Sequence, residues 1–156
     1  FTDAFVAAVD AATPDTVFVT DGPPPPAYLQ TGQVVWIGDV EGSQTTIALG
    51  DSSDSGPKDE AFNLEVNISI YGPMTPSATN VHALQGEQAF AILELISAKL
   101  RSDMELGLTP DANPKAYVRF AETRGPIRVR KGGNDQNRET MLTFVVFVFG
   151  FLERSS

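Results

Sequence analysis

Phe62, Leu64, Val66, Ile68 and Ile70 alternate with Asn63, Glu65, Asn67 and Ser69. A strict period of two predicts a strand with one buried face. Thr140 to Leu152 (TMLTFVVFVFGFL) is apolar on both sides, with Leu142, Phe144, Val146 and Val148 on one and Met141, Val145, Phe147 and Phe149 on the other. Such a strand is expected in the middle of a sheet with both faces covered. Helices can cover one face. A neighbouring subunit, or further loops and strands of the same chain, is left for the other.

Helical spacing appears twice. Phe1, Phe5, Ala8, Val9 and Ala12 predict an amphipathic helix that Thr13-Pro14-Asp15 stops. A longer helix is expected from about Asn80 to Arg101, with Leu84, Ile92, Leu95, Ile96 and Leu100 inward and Glu87, Glu94 and Arg101 outward. Gly107 is its expected stop signal. Shorter strands are predicted at Thr16–Thr20 and Gln33–Ile37. Pro23 to Pro26 form a stiff connector between them, since prolines cannot join a sheet ladder. A soft segment should follow, through Gly38, Gly42, Gly50 and Asp51–Pro57. Lys115–Ala121 and Ile127–Lys131 read as two strands of an arm or hairpin over 123–139, with a Gly132-Gly133-Asn134-Asp135 tip. The expected fold is α+β: a small mixed, mostly antiparallel sheet packed on two helices, one domain over residues 1–156. Phe1 is not a residue after which an initiator Met is removed, so the chain is expected to start downstream of its true start.

Charge changes the picture more than composition does. The 156 residues are 42% hydrophobic and 20% charged, which argues against wholesale disorder. The net charge of −9 argues against a general nucleic-acid binder and against binding an anionic membrane surface. No apolar run reaches the roughly 18 residues that a membrane-spanning helix requires. The charge is unevenly spread: residues 1–60 carry −9, residues 61–112 carry −4 and residues 113–156 carry +4. Lys115, Arg119, Arg124, Arg128, Arg130, Lys131 and Arg138 make up most of the basic group. Either they decorate a solvated hairpin, or a basic arm meets an acidic face of the next identical subunit.

Candidate chemistry is sparse. Cysteine is absent, which excludes disulfides, thiolate metal sites and cysteine nucleophiles. His82, the single histidine, lacks a motif context and reads as a surface residue. Asp51, Ser53, Ser55 and Gly56 imitate the start of a calcium loop, but Phe62 stands where its bidentate Glu belongs. Asn67-Ile68-Ser69 matches a glycosylation sequon inside the best-defined strand. Asp21, Asp39 and Glu65 are the nominees for a carboxylate-pair hydrolase, with nothing in the sequence to raise a pKa. No catalytic, cofactor or metal site is expected. The chain reads as an assembly or binding part.

The order of Asp21-Gly22-Pro23-Pro24, Trp36-Ile37-Gly38-Asp39, Asp59-Glu60-Ala61-Phe62, Leu100-Arg101-Ser102-Asp103 and Leu106-Gly107, closed by an all-apolar strand, resembles the tail terminator (tail completion) proteins of long-tailed bacteriophages, especially those of actinobacteria. The resemblance covers most of the chain as a pattern, although residues 124–138 have no residue-by-residue match. It implies a homo-hexameric ring that caps the tail tube, ends its polymerisation and joins the tail to the head connector. Its implied partners are the major tail tube protein and the connector or stopper, in the tail or neck of a virion assembled in the host cytoplasm. DNA would pass through the lumen without specific binding, which an anionic wall favours. Subunit contacts are expected at Arg124, Arg128, Arg130, Lys131, Phe147 and Phe149. The partner contact is expected at Pro23, Pro24, Tyr28 and Leu29, where a pre-stiffened loop loses little entropy on docking. A head-side connector or another minor tail protein is the near alternative, and a small soluble enzyme or ligand-binding module the far one.

Overall fold

A computed structural model describes residues 1–28, 32–46, 58–73, 81–133 and 137–152. Along the chain run α1 (Thr2–Ala12), β1 (Val17–Asp21), a 3-10 turn (Pro26–Tyr28), β2 (Gly32–Thr46), β3 (Lys58–Pro73), α2 (Val81–Ser102), β4 (Ala116–Gly133) and β5 (Asn137–Leu152). The strands form a five-stranded mixed sheet in the order β1-β2-β3-β5-β4. β1 runs parallel to β2, and the other pairs are antiparallel. The fold is α+β, with β5 between β3 and β4 as a two-sided apolar strand requires.

Both helices pack on the same face of the sheet. α1 buries Phe5 and Val9, and α2 buries Gln85, Ala89, Ile92, Leu93, Ile96 and Leu100. The facing side chains are Val17, Val35, Ile37, the even-numbered residues Leu64 to Ile70, Val118, Ala121 and the even-numbered residues Leu142 to Val148. Each such fully buried aliphatic contributes about 1.5–3 kcal/mol, so this layer carries most of the stability. α1 ends where Pro14 forbids another turn: Thr13 is extended, and both its amide and its hydroxyl donate to the Val9 carbonyl.

Three elements differ from expectation. β2 continues through Gly38 and Gly42 to Thr46, because β3 pairs with it on both sides of a bulge at Ile37–Val40. The α2 face is rotated: Leu84 and Leu95, expected inside, are 58% and 40% exposed, while Gln85 and Ala89 are buried. Lys115–Ala121 and Ile127–Lys131 belong to one strand, β4. The break between them is a bulge from Arg124 to Arg128, where Gly125 adopts φ +77° and Pro126, which lacks an amide hydrogen, sits at the sheet edge. Residues 123–133 and 137–139 form the distal part of the β4–β5 ladder, and the β5 side of it also pairs with β3. Residues 134–136 of its expected tip, and most of the expected soft segment including Gly50 and Asp51–Pro57, lie outside the described residues.

Candidate functional site

With both helices on one face, the other face of β5 has no cover among the described residues. Met141, Thr143, Val145, Phe147 and Phe149 are half-buried there, in strict alternation with the fully buried side. The register brings Phe147 opposite Glu122, Phe149 opposite Phe120 and Phe151 opposite Tyr117. The rings touch in sequence: Tyr117 stacks on Phe151 at 5.1 Å, and Phe120 lies 5.5 Å from Phe149 and 5.8 Å from Phe147. Such pairs add about 0.5–1.5 kcal/mol beyond burial, so the patch is ordered without a partner.

Two guanidinium groups lie on this aromatic row. Arg124 sits 3.7 Å above the Phe147 ring and donates through Nε to Glu122 Oε1. Arg119, the extra residue of the Val118–Phe120 bulge, reaches Phe149 at 5.8 Å and Tyr117 at 6.0 Å. It also forms an ion pair with Asp59 at 3.3 Å. Bulges characteristically re-aim one side chain in this way. Arg119 was not among the expected contact residues; its signal was its place among closely spaced aromatics, Tyr117 and Phe120.

The six expected subunit-contact residues therefore divide. Arg124, Phe147 and Phe149 form one cluster. Arg128 and Arg130 lie farther along β4, opposite Thr143 and Met141, over a groove that Trp36, Glu65 and Asn67 also line. Lys131 is opposite Thr140, on the helix side by register, and also borders this groove. In the groove Thr143 Oγ1 donates to Asn67 Oδ1 at 2.7 Å, and Asn67 Nδ2 donates to Glu65 Oε1 at 3.2 Å. Trp36 Nε1 donates to Ser69 Oγ at 3.1 Å. Asn67, the sequon asparagine, is thus buried and fully engaged. Glu65 belongs to this network and lies across from the Gly38–Asp39 bulge of β2, while Asp21, paired with Ile37, and Asp39 are exposed; the Glu65 carboxylate is thus already engaged by Asn67.

The expected partner contact falls on the connector from β1 to β2, at the margin of the sheet opposite β4. Pro23 is exposed and Pro24 half-buried, Tyr28 closes the 3-10 turn, and Leu29 lies outside the described residues. His82 is not a plain surface residue. Thr140 gives its hydroxyl proton to Gln85 Oε1 at 3.0 Å, so its oxygen accepts from His82 Nδ1 at 3.1 Å, and Gln85 Nε2 donates to the Arg138 carbonyl at 3.1 Å. This network ties the start of α2 to the start of β5. Among the described residues no group of three or more His, Cys, Asp or Glu is placed to hold a metal ion, and no helix is long and apolar enough to cross a membrane.

No family model and no curated protein matches the chain. A solved structure named only by a sequence identifier aligns over 95% of this chain and 95% of its own, at 15% identity and a TM-score of 0.42. A chain from the virion of a native gene transfer agent particle aligns over 92% of this chain and 86% of its own, at 16% identity and a TM-score of 0.40. Likenesses at this level carry no functional argument. The geometry is that of an aromatic row with arginines laid on it, on a sheet face that no described residue covers.

Proposed function

We propose that the chain is a structural virion subunit that assembles into a six-membered ring, a tail terminator that caps the tail tube, ends its growth and joins the tail to the head connector. The observation that carries this reading is the half-exposed row Tyr117, Phe120, Phe147, Phe149 and Phe151 on the face that neither helix covers. A contiguous apolar patch with a polar rim marks a surface that a macromolecular partner covers. Aromatic rings and arginine are also the residues that dominate binding energy at interface centres. The ordered motifs from Asp21-Gly22-Pro23-Pro24 to Leu106-Gly107 supply the tail-specific part of the reading. Arg124, Phe147 and Phe149 then serve subunit contact. Pro23, Pro24, Tyr28 and Leu29, at the opposite margin, serve contact with the tail tube or connector. DNA crosses the lumen unbound.

Deletion of the gene from its phage, with complementation, tests the role. Filled heads beside overlong or ragged free tails are expected, and wild-type complementation should restore joined particles of normal length. Complementation with Tyr28→Ser/Leu29→Ser should yield rings that fail to stay on tails. Finished tails of normal length in the deletion would instead place the chain on the head side.

A further inference from the structure

We infer that the free edge of β4 in one copy docks into the groove between α1 and β1 of the next copy; this contact rests on the self-assembling reading above and names its surfaces. β1 and β4 are the two margins of the sheet. A donor and an acceptor on opposite margins of one chain are what a head-to-tail contact requires, because every copy then offers one and uses the other.

The donor is the distal half of β4, exposed from Glu122 to Gly133. Register fixes the side each residue takes. Val129 pairs with Leu142 and Lys131 with Thr140, which both face the helices, whereas Arg128 and Arg130 pair with Thr143 and Met141 on the other face. Val129 is nevertheless 46% exposed and Ile127 48%, so the helix layer of their own chain does not cover them. An exposed apolar pair among three cations is complemented by an apolar acceptor with acidic walls.

The α1–β1 margin has that composition. α1 presents Asp3, Val6, Ala7 and Asp10 at helical spacing, and these line an open groove with Asp15, Val17 and Val19. Its apolar lining is valine, alanine and Phe18, with Thr16 beside them, and its rim carries three exposed carboxylates. Residues 1–57 contain no Lys or Arg. Among the described residues Asp3, Asp10, Asp15, Arg128, Arg130 and Lys131 take part in no ion pair. By register Val129 is on the helix side of its sheet, as Val6 and Ala7 are of theirs, although Val129 and Lys131 also border the groove on the other face. When two sheets meet margin to margin, Val129 and Lys131 arrive beside Val6, Ala7 and Asp10. Exposed charge pairs are individually weak and screened by salt, so the apolar pair anchors the contact and the charges set its direction.

The chain has no cysteine, so an engineered pair reports the contact cleanly. Oxidised Ala7→Cys/Val129→Cys protein should give a ladder of covalent multimers, and each single-cysteine variant should stop at dimers. Asp3→Lys/Asp10→Lys/Asp15→Lys and Arg128→Glu/Arg130→Glu/Lys131→Glu should each self-associate at least about tenfold more weakly than wild type. An equimolar mixture of the two should regain association, since each variant's edge then meets a groove of opposite charge. If wild-type protein associates but the ladder is absent, or the mixture stays dissociated, this contact is overturned while the ring reading stands. A wild-type chain that remains monomeric up to about 1 mM overturns both.

Discussion

Gly150 interrupts the most apolar strand of the chain because two other groups occupy the space a side chain would need. A Cβ there would stand 2.7 Å from the Tyr117 carbonyl oxygen and 2.9 Å from Cζ of Phe1. The ring of Phe1 packs edge-on to Phe62 at 5.3 Å, closing the helix-side core at the start of α1. Gly150→Ala should therefore destabilise the chain by about 1–3 kcal/mol in chemical denaturation, the usual cost of overpacking. A loss below about 0.5 kcal/mol, as at an ordinary surface site, would contradict this packing. Tyr71 makes a second residue-level prediction. Burial holds its hydroxyl above the ordinary value of 10.0; a hydrogen bond with Ser69 opposes this, and Glu139 adds to it. Folding thus favours the neutral phenol. The stability from this group is complete below about pH 10 and is lost as pH rises through the higher folded value. Denaturation midpoints of Tyr71→Phe should fall less steeply than wild type above that pH. Parallel curves would show that Tyr71 ionises as it does in the unfolded chain.

At the scale of elements, α2 shows what periodicity reveals and what it hides. Ile92, Ile96 and Leu100 were legible as its inward face, and Glu87, Glu94 and Arg101 as its outward one. The buried face also takes in Gln85, whose amide is satisfied by Thr140 and the Arg138 carbonyl, 55 and 53 residues away in sequence. No local pattern announces a polar residue whose partners come from another strand. Including Leu84 and Leu95 in an all-apolar stripe therefore turned the helix the wrong way. Ile96→Ala should cost about 2–5 kcal/mol in stability and Leu95→Ala less than about 0.5 kcal/mol in the isolated chain. Equal losses would restore the expected face. Strand limits were blurred for a related reason. Gly38 and Gly42 look like breakers, as do Gly125 and Pro126, yet the ladders with β3 and β5 carry β2 and β4 past them. Strand formation depends more on neighbours than on local preference. The two-faced composition of β5 needed no such context to place it inside the sheet, but β5 lies next to the edge strand β4 and only one of its faces is fully buried.

For the whole molecule, the decisive asymmetry is that both helices cover the same side of the sheet. Phe147 and Phe149 were legible as part of a second apolar face of β5, and among the described residues that face has no cover. Arg124 was legible through the charge split, but its place above Phe147 depends on the β4–β5 register. The sequence could not separate Lys131 from Arg128 and Arg130, since the side each takes depends on the pairing that resumes after the Gly125-Pro126 bulge. On the reading proposed above, these surfaces serve closed self-assembly. The most direct measurement is the native mass of the full chain together with averaged particle images at low salt. Closed rings of six copies of 16.7 kDa, about 100 kDa, are expected, with salt weakening the contacts through their charged part alone. A homogeneous 16.7 kDa monomer at every concentration and salt tested would contradict that reading.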